Sequence, residues 1–199
     1  MSDIQTNEVE HKRAGGAILA RPLFQAEDGG LKPTSALQFS IVEINMRLAA
    51  ELNRTWHSML PRTDLGNLLC GNMSVAYAAE FDGKYYAVGI YSQPIIRSNC
   101  DGKTIELRRM AICEDAPKNT ASRMLSLMRK MVKRKYPFLT KAISYQAVEV
   151  HHGTIYKASG WTPVGVISAA RPQRLTGQHG RATGPLQTHS PKQRWEISL

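Results

Sequence analysis

The chain has 199 residues, of which 42% are hydrophobic, and a formal net charge of +10. Its three cysteines are widely spaced and form no CxxC pair, which argues against a disulfide framework and against a zinc site. No stretch approaches the roughly 18 apolar residues of a membrane span, so we expect a cytoplasmic protein with no membrane partner.

The first half of the chain predicts a strand, a helix and a hairpin behind a polar arm. Residues 1–35 are polar and contain GG twice, so we expect a flexible arm before a single domain at 36–199. Residues 37–44 alternate as a strand does, and residues 44–57 have helical spacing. Asp82-Gly83 separates two β-rich runs and is the strongest hairpin signal in the chain.

The second half predicts a long amphipathic helix between strands. A strand at 104–112 is followed by the polar loop CEDAPKNTAS and then by a helix that Asn119 or Thr120 can cap. Its apolar stripe is Met124, Leu125, Met128, Met131 and Val132, and Tyr136-Pro137 ends it. We then expect a strand, a short helix, a strand, a long exposed basic loop and a last strand, at 142–148, 152–161, 162–170, about 171–192 and 194–199.

The positive charge is concentrated in the C-terminal part. Residues 1–117 have a net charge of −2, whereas residues 118–199 have a net charge of +12. Clustered Lys and Arg side chains favour a polyanion such as DNA, because they displace counterions from phosphates. The alternative is a solvated face with no ligand. The candidate nucleic-acid contacts lie on the long helix and in the basic loop: Arg129, Lys130, Lys133, Arg134, Arg171, Arg174 and Arg181.

The order of these elements resembles the GNAT superfamily of acyltransferases over about residues 37–170. This resemblance implies an α/β fold of the α+β type, with a mixed, mostly antiparallel central sheet flanked by helices. It also implies acetyl-CoA or another acyl-CoA as cofactor. In that family the thioester arm lies where a central strand splays from its neighbour, and the pyrophosphate binds at the start of the next helix.

The expected cofactor site is the strand Thr104–Ile112 together with the loop Pro117–Arg123. A helix N-terminus offers unpaired N–H donors and a partial positive charge, which suits a diphosphate. The family loop is rich in glycine, whereas this loop reads APKNTAS. The residues expected to contact the cofactor are Met110, Ala111, Ile112, Lys118, Asn119, Thr120, Ala121 and Ser122, with the Ser122 hydroxyl as a donor to phosphate.

The segment GTIYKASGW resembles the family segment whose tyrosine protonates the departing CoA thiolate. That tyrosine corresponds to Tyr156, and a phenol with a pKa near 10 is a suitable acid for a thiolate. The alternative is a tyrosine that only packs its ring against the sheet. The asparagine that often precedes the family tyrosine by seven residues is Glu149 here.

A closer resemblance is to the Mom-like DNA-modification proteins of phages and prophages. It rests on the histidine of WHSMLP, the ELRRMAI strand, the APKNTAS loop and the HHGTIYKASGW segment. Such proteins place a carbamoylmethyl group on the exocyclic amine of adenine in DNA, a reaction for which an iron has been proposed. The family has a tyrosine after the early histidine and an acid near the end of strand five, where this chain has Ser58 and Gln146. We therefore assign no metal ligand.

Two further side chains are candidates for catalysis. His57 lies between a helix and a turn containing proline, where an imidazole can act as a base, although it can equally cap its own helix. Glu106 is the best candidate for a carboxylate base, and its alternative role is a salt bridge to an arginine on the same strand. His151 and His152 are adjacent, so at most one of them joins a site.

Three functions remain open at this point. The first is acyl-CoA-dependent transfer to an amine, most specifically to the adenine amine of DNA. The second is an ordinary N-acetyltransferase that acts on a small amine or a protein lysine. The third is a non-catalytic nucleic-acid-binding protein on the same scaffold, which would bind no acyl-CoA.

Overall fold

A computed structural model describes residues 31–57, 73–167 and 191–199. Seven strands and three α-helices follow one another in these ranges. The first elements are β1 (Ser40–Ile44), α1 (Met46–Trp56), β2 (Ser74–Phe81), β3 (Lys84–Ser92) and β4 (Thr104–Ile112). The remaining elements are α2 (Thr120–Lys135), β5 (Lys141–Ala147), α3 (Thr154–Ala158), β6 (Thr162–Ile167) and β7 (Lys192–Ser198).

The seven strands form one sheet in the order β1-β2-β3-β4-β5-β7-β6. Every neighbouring pair is antiparallel except β4 and β5, which are parallel. The expected mixed, mostly antiparallel sheet with flanking helices is therefore confirmed. A parallel pair needs a crossover connection, and α2 supplies it between β4 and β5.

The two faces of the sheet carry separate cores. On one face α2 and α3 bury Met124, Leu125, Met128 and Val132 of the predicted stripe, and these side chains are fully buried. On the other face α1 packs Ala49 and Ala50 against small and branched residues of β2, β3 and β4. The two faces of the sheet therefore present different sets of side chains.

Several local signals predicted the observed structure closely. Asp82 and Gly83 form the two-residue turn between β2 and β3 with φ of 51° and 71°, as a type I′ hairpin requires. Helix α2 ends at Lys135, immediately before Tyr136. Near the first strand the prediction was wrong, because Ala36–Gln38 is a 3-10 helix held by a capping box between Ser35 and Gln38.

One glycine lets α2 approach the sheet. A Cβ at Gly89 on β3 would lie 2.5 Å from the Met128 sulfur, so only glycine allows Met128 to pack there. Residues 171–190 of the predicted basic loop lie outside the described part of the chain, and only Pro191 and Lys192 of it are described. Within the described ranges, no helix has the length and apolarity that a membrane crossing requires.

Candidate active site

The parallel strands β4 and β5 separate halfway along their length. Their pairing runs from Thr104–Lys141 to Leu107–Ser144 and stops there, although both strands continue. On its other side β4 stays paired with β3 as far as Ile112. The edge of β4 after Leu107 therefore faces a gap, and its backbone groups on that side have no strand partner among the described residues.

A β-bulge marks the point of separation. Ile90 of β3 pairs with Arg109 and Tyr91 pairs with Leu107, which leaves Arg108 as an extra residue in β4. A bulge re-aims the side chains that follow it. Accordingly Leu107 and Met110 both pack on the α2 face, whereas Ala111 is buried on the α1 face.

Tyr156 lies at the closed end of this gap. Its hydroxyl is 2.9 Å from the Ser144 Oγ, on the last residue of β5 that pairs with β4. The ring stacks on Trp195 at 5.2 Å and meets the edge of Trp161 at 5.6 Å. The side chain is 7% exposed, so the packing role considered from the sequence is real, and the hydroxyl is nevertheless directed at the strand junction.

The hydrogen bonds assign the phenol proton. The single hydroxyl hydrogen of Ser144 is donated to the Leu107 carbonyl at 3.1 Å, so Tyr156 must donate its own proton to Ser144. Burial raises the pKa of Tyr156, and the bond to Ser144 opposes that shift. Tyr156 is therefore a protonated phenol at neutral pH, as an acid must be before it acts.

Tyr156 is oriented by the segment that starts α3. Gly153 precedes the helix with φ of 70°, and a Cβ there would lie 2.3 Å from the Trp195 ring. Trp195 is held in turn by its Nε1, which donates to the Gln146 Oε1 at 2.8 Å. The Gln146 amide also donates to the His151 carbonyl, which ties the β5–α3 connection to the same cluster.

The start of α2 offers backbone donors, but its side-chain donors are committed locally. Asn119 is the N-cap residue with φ of 68°, and its side chain makes no capping bond, contrary to the expectation from the sequence. The hydroxyls of Thr120 and Ser122 fold back on the Pro117 and Asn119 carbonyls at 2.6 Å and 3.1 Å. The one hydroxyl hydrogen of Ser122 is used locally in this arrangement, so its donation to a phosphate would require the hydroxyl to turn and stays a prediction.

The first intrahelical bond of α2 runs from the Arg123 N–H to the Asn119 carbonyl, which leaves the N–H groups of Ala121 and Ser122 open. A groove of about 550 Å³ is lined by Ser122 at this point. Arg123 also lines it, with a buried Nε that has no hydrogen-bond partner in the described structure. Sequence reasoning included Arg123 in the anion loop but did not single it out. The groove is lined by Ser35, Ala36, Leu37, Lys118, Asn119, Ser122, Arg123, Ser126, Leu127 and Ala158.

Glu106 forms a salt bridge with Arg108, which is the alternative role that the sequence analysis considered for it. Its carboxylate oxygens lie 3.5 Å from the Arg108 Nε and 3.2 Å from the Ile95 N–H, which donates to it. Burial raises the pKa of Glu106, while the Ile95 N–H and the cations of Arg108, Arg109 and Lys192 pull it back. Glu106 thereby anchors the loop after β3 to the sheet.

His57 closes α1 and interacts with both sides of the gap. Its backbone N–H bonds to the Asn53 carbonyl at 2.9 Å, so the expected capping position is observed for the backbone. Burial, followed by the charges of Arg109 on β4 and of His151 after β5, lowers the pKa of the imidazole below 6.5. A neutral imidazole at neutral pH can accept a proton.

The predicted nucleic-acid contacts on α2 lie on the face of the sheet opposite α1. Lys133 donates to the Pro137 and Leu139 carbonyls at 2.9 Å and 2.7 Å and so caps the end of the helix. Arg129 lines a second groove beside Lys141 and Glu196. Lys130 and Arg134 are exposed. Arg171, Arg174 and Arg181 lie outside the described residues.

No group of three or more His, Cys, Asp or Glu side chains in the described ranges is arranged to hold a metal ion.

Comparison with solved structures identifies the fold. A probable acetyltransferase from Staphylococcus epidermidis superposes with a TM-score of 0.57 at 11% identity, covering 81% of this chain and 99% of that one. The spermidine N-acetyltransferase from Vibrio cholerae, in complex with CoA and spermine, gives 0.54 at 14% identity, covering 81% and 96%. A GNAT family acetyltransferase from Elizabethkingia anophelis with acetyl-CoA bound gives 0.53 at 12% identity, covering 81% and 99%.

This chain therefore has the GNAT acetyltransferase fold, as its order of elements predicted. Within that class the sequence matches the Mom protein family over residues 81–196, which is more than half of the chain, and the protein belongs to this family. The matched range runs from the end of β2 into β7 and includes Glu106, Arg109, Ser144 and Tyr156. Among curated proteins no significant match was found.

Proposed function

We propose that this protein transfers an acyl-derived group from an acyl-CoA to an amine, and that the amine is the exocyclic amine of adenine in DNA. The observation that carries the proposal is the Tyr156 hydroxyl at the point where β4 and β5 separate. Membership of the Mom protein family supports the DNA base as acceptor.

The described residues fit a CoA thioester. The unpaired edge of β4 at Met110, Ala111 and Ile112 can hydrogen-bond an extended amide arm as an added strand would. The open N–H groups of Ala121 and Ser122, with Arg123 and Lys118 beside them, suit the pyrophosphate. When bound, acyl-CoA supplies the activated acyl carbon as a thioester.

Two side chains supply proton transfer in this proposal. His57 is neutral at neutral pH and accepts a proton from the attacking amine, while Tyr156 gives its phenol proton to the departing sulfur. The new bond joins the amine nitrogen to the acyl carbon, and the bond between that carbon and sulfur breaks. Ser144 can then turn its hydroxyl from the Leu107 carbonyl to the phenolate, which limits the cost of the buried charge.

Holding the two reactants together supplies a large part of the rate, because an oriented encounter is effectively unimolecular. An adenine inside a duplex cannot reach a buried thioester, so the base must be single-stranded or flipped out of the helix. Glu106 has a positioning role in this proposal, since both of its oxygens are already engaged.

Mass spectrometry of nucleosides from cells that express the protein tests this proposal. We expect a new adduct of deoxyadenosine with the wild-type protein and far less of it with Tyr156→Phe. In parallel, the purified protein is given acetyl-CoA with an adenine oligonucleotide, spermidine or a lysine peptide. An unmodified nucleoside profile together with transfer to spermidine or lysine would identify an ordinary N-acetyltransferase. If calorimetry detected no acyl-CoA binding at all, the non-catalytic alternative would be correct.

A further inference from the structure

Arg109 lies at the β4 bulge beside the gap, and only part of its guanidinium is used. Its Nη1 donates to the Arg108 carbonyl at 2.7 Å, which fixes one side of the planar group. The Nε is buried and has no hydrogen-bond partner in the described structure. Neither Nε nor Nη2 makes a hydrogen bond within the described ranges, and the edge that they form presents two parallel N–H donors.

The neighbouring carboxylate does not satisfy Arg109. Glu106 forms its ion pair with Arg108 at 3.5 Å and receives the Ile95 N–H at 3.2 Å. Arg108 also donates from Nη1 to the Ser92 hydroxyl at 3.2 Å. Of the two consecutive arginines, Arg108 is thus part of a buried structural network, whereas Arg109 has no salt bridge within the described ranges.

The guanidinium of Arg109 is electrostatically coupled to neighbouring side chains. Burial and the adjacent Arg108 lower the pKa of Arg109, and only Glu106 opposes them. The same guanidinium lowers the pKa of His57. A half-buried guanidinium that has one hydrogen bond and no salt bridge within the described ranges is unfavourable, and an oxyanion on its unbonded edge would lower that penalty.

We propose that Arg109 binds a phosphate group of the acceptor nucleotide through the Nε and Nη2 edge of its guanidinium. This inference rests on the proposed function, because DNA is the acceptor that brings a phosphate to this face of the sheet. A planar fork matches the oxygens of a phosphate, which a lysine at this position would contact only as a point charge. Bound there, the phosphate orients the adjoining base toward the gap beside His57.

The proposal is tested by measuring the pKa of the His57 imidazole in an NMR pH titration. CoA is present in excess so that it occupies the groove beside α2. Among the described residues, the charges of Arg109 and His151 act on His57, and those of Arg108 and Glu106 act on Arg109. Deoxyadenosine monophosphate should raise the His57 pKa, because its phosphate neutralises Arg109. Deoxyadenosine, which lacks the phosphate, should leave the His57 pKa unchanged.

Variants locate the effect. In Arg109→Gln the His57 pKa should start higher and should not respond to the nucleotide. Arg54→Ala removes an exposed arginine from the last turn of α1 and should respond as the wild type does. Should Arg109→Gln fail to fold, Arg109→Lys keeps the charge without the fork, and a nucleotide affinity lowered about tenfold is expected.

The outcome is independent of turnover. An unchanged His57 titration in the wild type would overturn the phosphate site even if acyl transfer were observed. A response to glutamate but not to the nucleotide would overturn the choice of phosphate. A normal response without transfer to any amine would support the phosphate site while overturning the proposed reaction.

Discussion

The Tyr156 hydroxyl is the smallest feature on which the proposed chemistry depends. We expect Tyr156→Phe to lower turnover on the order of 10²-fold, because it removes the acid and keeps the ring that packs on Trp195. The lost hydrogen bond to Ser144 should cost about 1 kcal/mol of unfolding free energy. Steady-state kinetics at saturating donor and urea unfolding measure the two effects separately.

Tyr85→Phe is the matched control for that variant. Tyr85 is a half-buried tyrosine of β3, and its removal should leave turnover unchanged. If Tyr156→Phe turned over at the wild-type rate while the control behaved as expected, Tyr156 would have only the packing role.

The sequence predicted the role of an individual residue where a local sequence motif or an alternating pattern contained it. The segment around Tyr156 pointed to the tyrosine, and alternation along β4 pointed to Glu106 with Arg108. Ser144 and Arg109 were missed as contributors, because their importance depends on where β4 leaves β5 and on a bulge that periodicity does not reveal. The local bond of the Ser122 hydroxyl to its own helix was not foreseen, although a hydroxyl in a first helical turn can bond its own backbone.

Between β5 and α3, a single glycine controls how Tyr156 is held. Gly153→Ala forces a side chain into the left-handed region at φ of 70° and places its Cβ 2.3 Å from the Trp195 ring. We expect a loss of unfolding free energy larger than the roughly 1 kcal/mol of backbone strain alone. Activity should fall as well, because Trp195 stacks on Tyr156. Urea denaturation and kinetics are the measurements.

Gly102→Ala separates strain from packing in this comparison. Gly102 has φ of 71°, and a Cβ there would meet nothing within 4 Å. It should therefore lose only the strain contribution and keep full activity. Equal losses of stability in the two variants would show that Trp195 yields to the added methyl group.

Most helices and strands were predictable because their hydrophobic periodicity and the residues at their ends indicate the same boundaries. The α2 stripe, the Asp82-Gly83 turn and the stop at Tyr136 all lie where local rules put them. The 3-10 turn at Ala36–Gln38 was not predicted, since alternation over 37–44 hid the capping box that interrupts it. The mixed, mostly antiparallel character of the sheet was implied by the family resemblance and not by residue patterns.

At the scale of the whole molecule, the sheet separates two sets of basic side chains. Lys130 and Arg134 are exposed on the face that carries α2, whereas Arg109 and His57 interact on the side of α1. Of the remaining basic side chains near the end of α2, Lys133 is bound to backbone carbonyls and Lys135 to Glu43. A DNA contact on α2 should therefore add affinity without taking part in the reaction.

The double variant Lys130→Ala/Arg134→Ala tests this separation. If both side chains contact phosphates, the slope of log affinity against log salt on duplex DNA should become shallower by about 1.8, at about 0.9 per phosphate. Binding should weaken about equally for unrelated sequences, because phosphate contacts do not read bases. Turnover on a short single-stranded oligonucleotide should stay at the wild-type value.

The matched control is Arg47→Ala/Lys103→Ala, which removes the same charge from two other exposed positions. This variant should keep the original slope. An unchanged slope in the α2 variant would assign its cations to solubility and helix capping, and a loss of turnover would contradict the separation of the two faces.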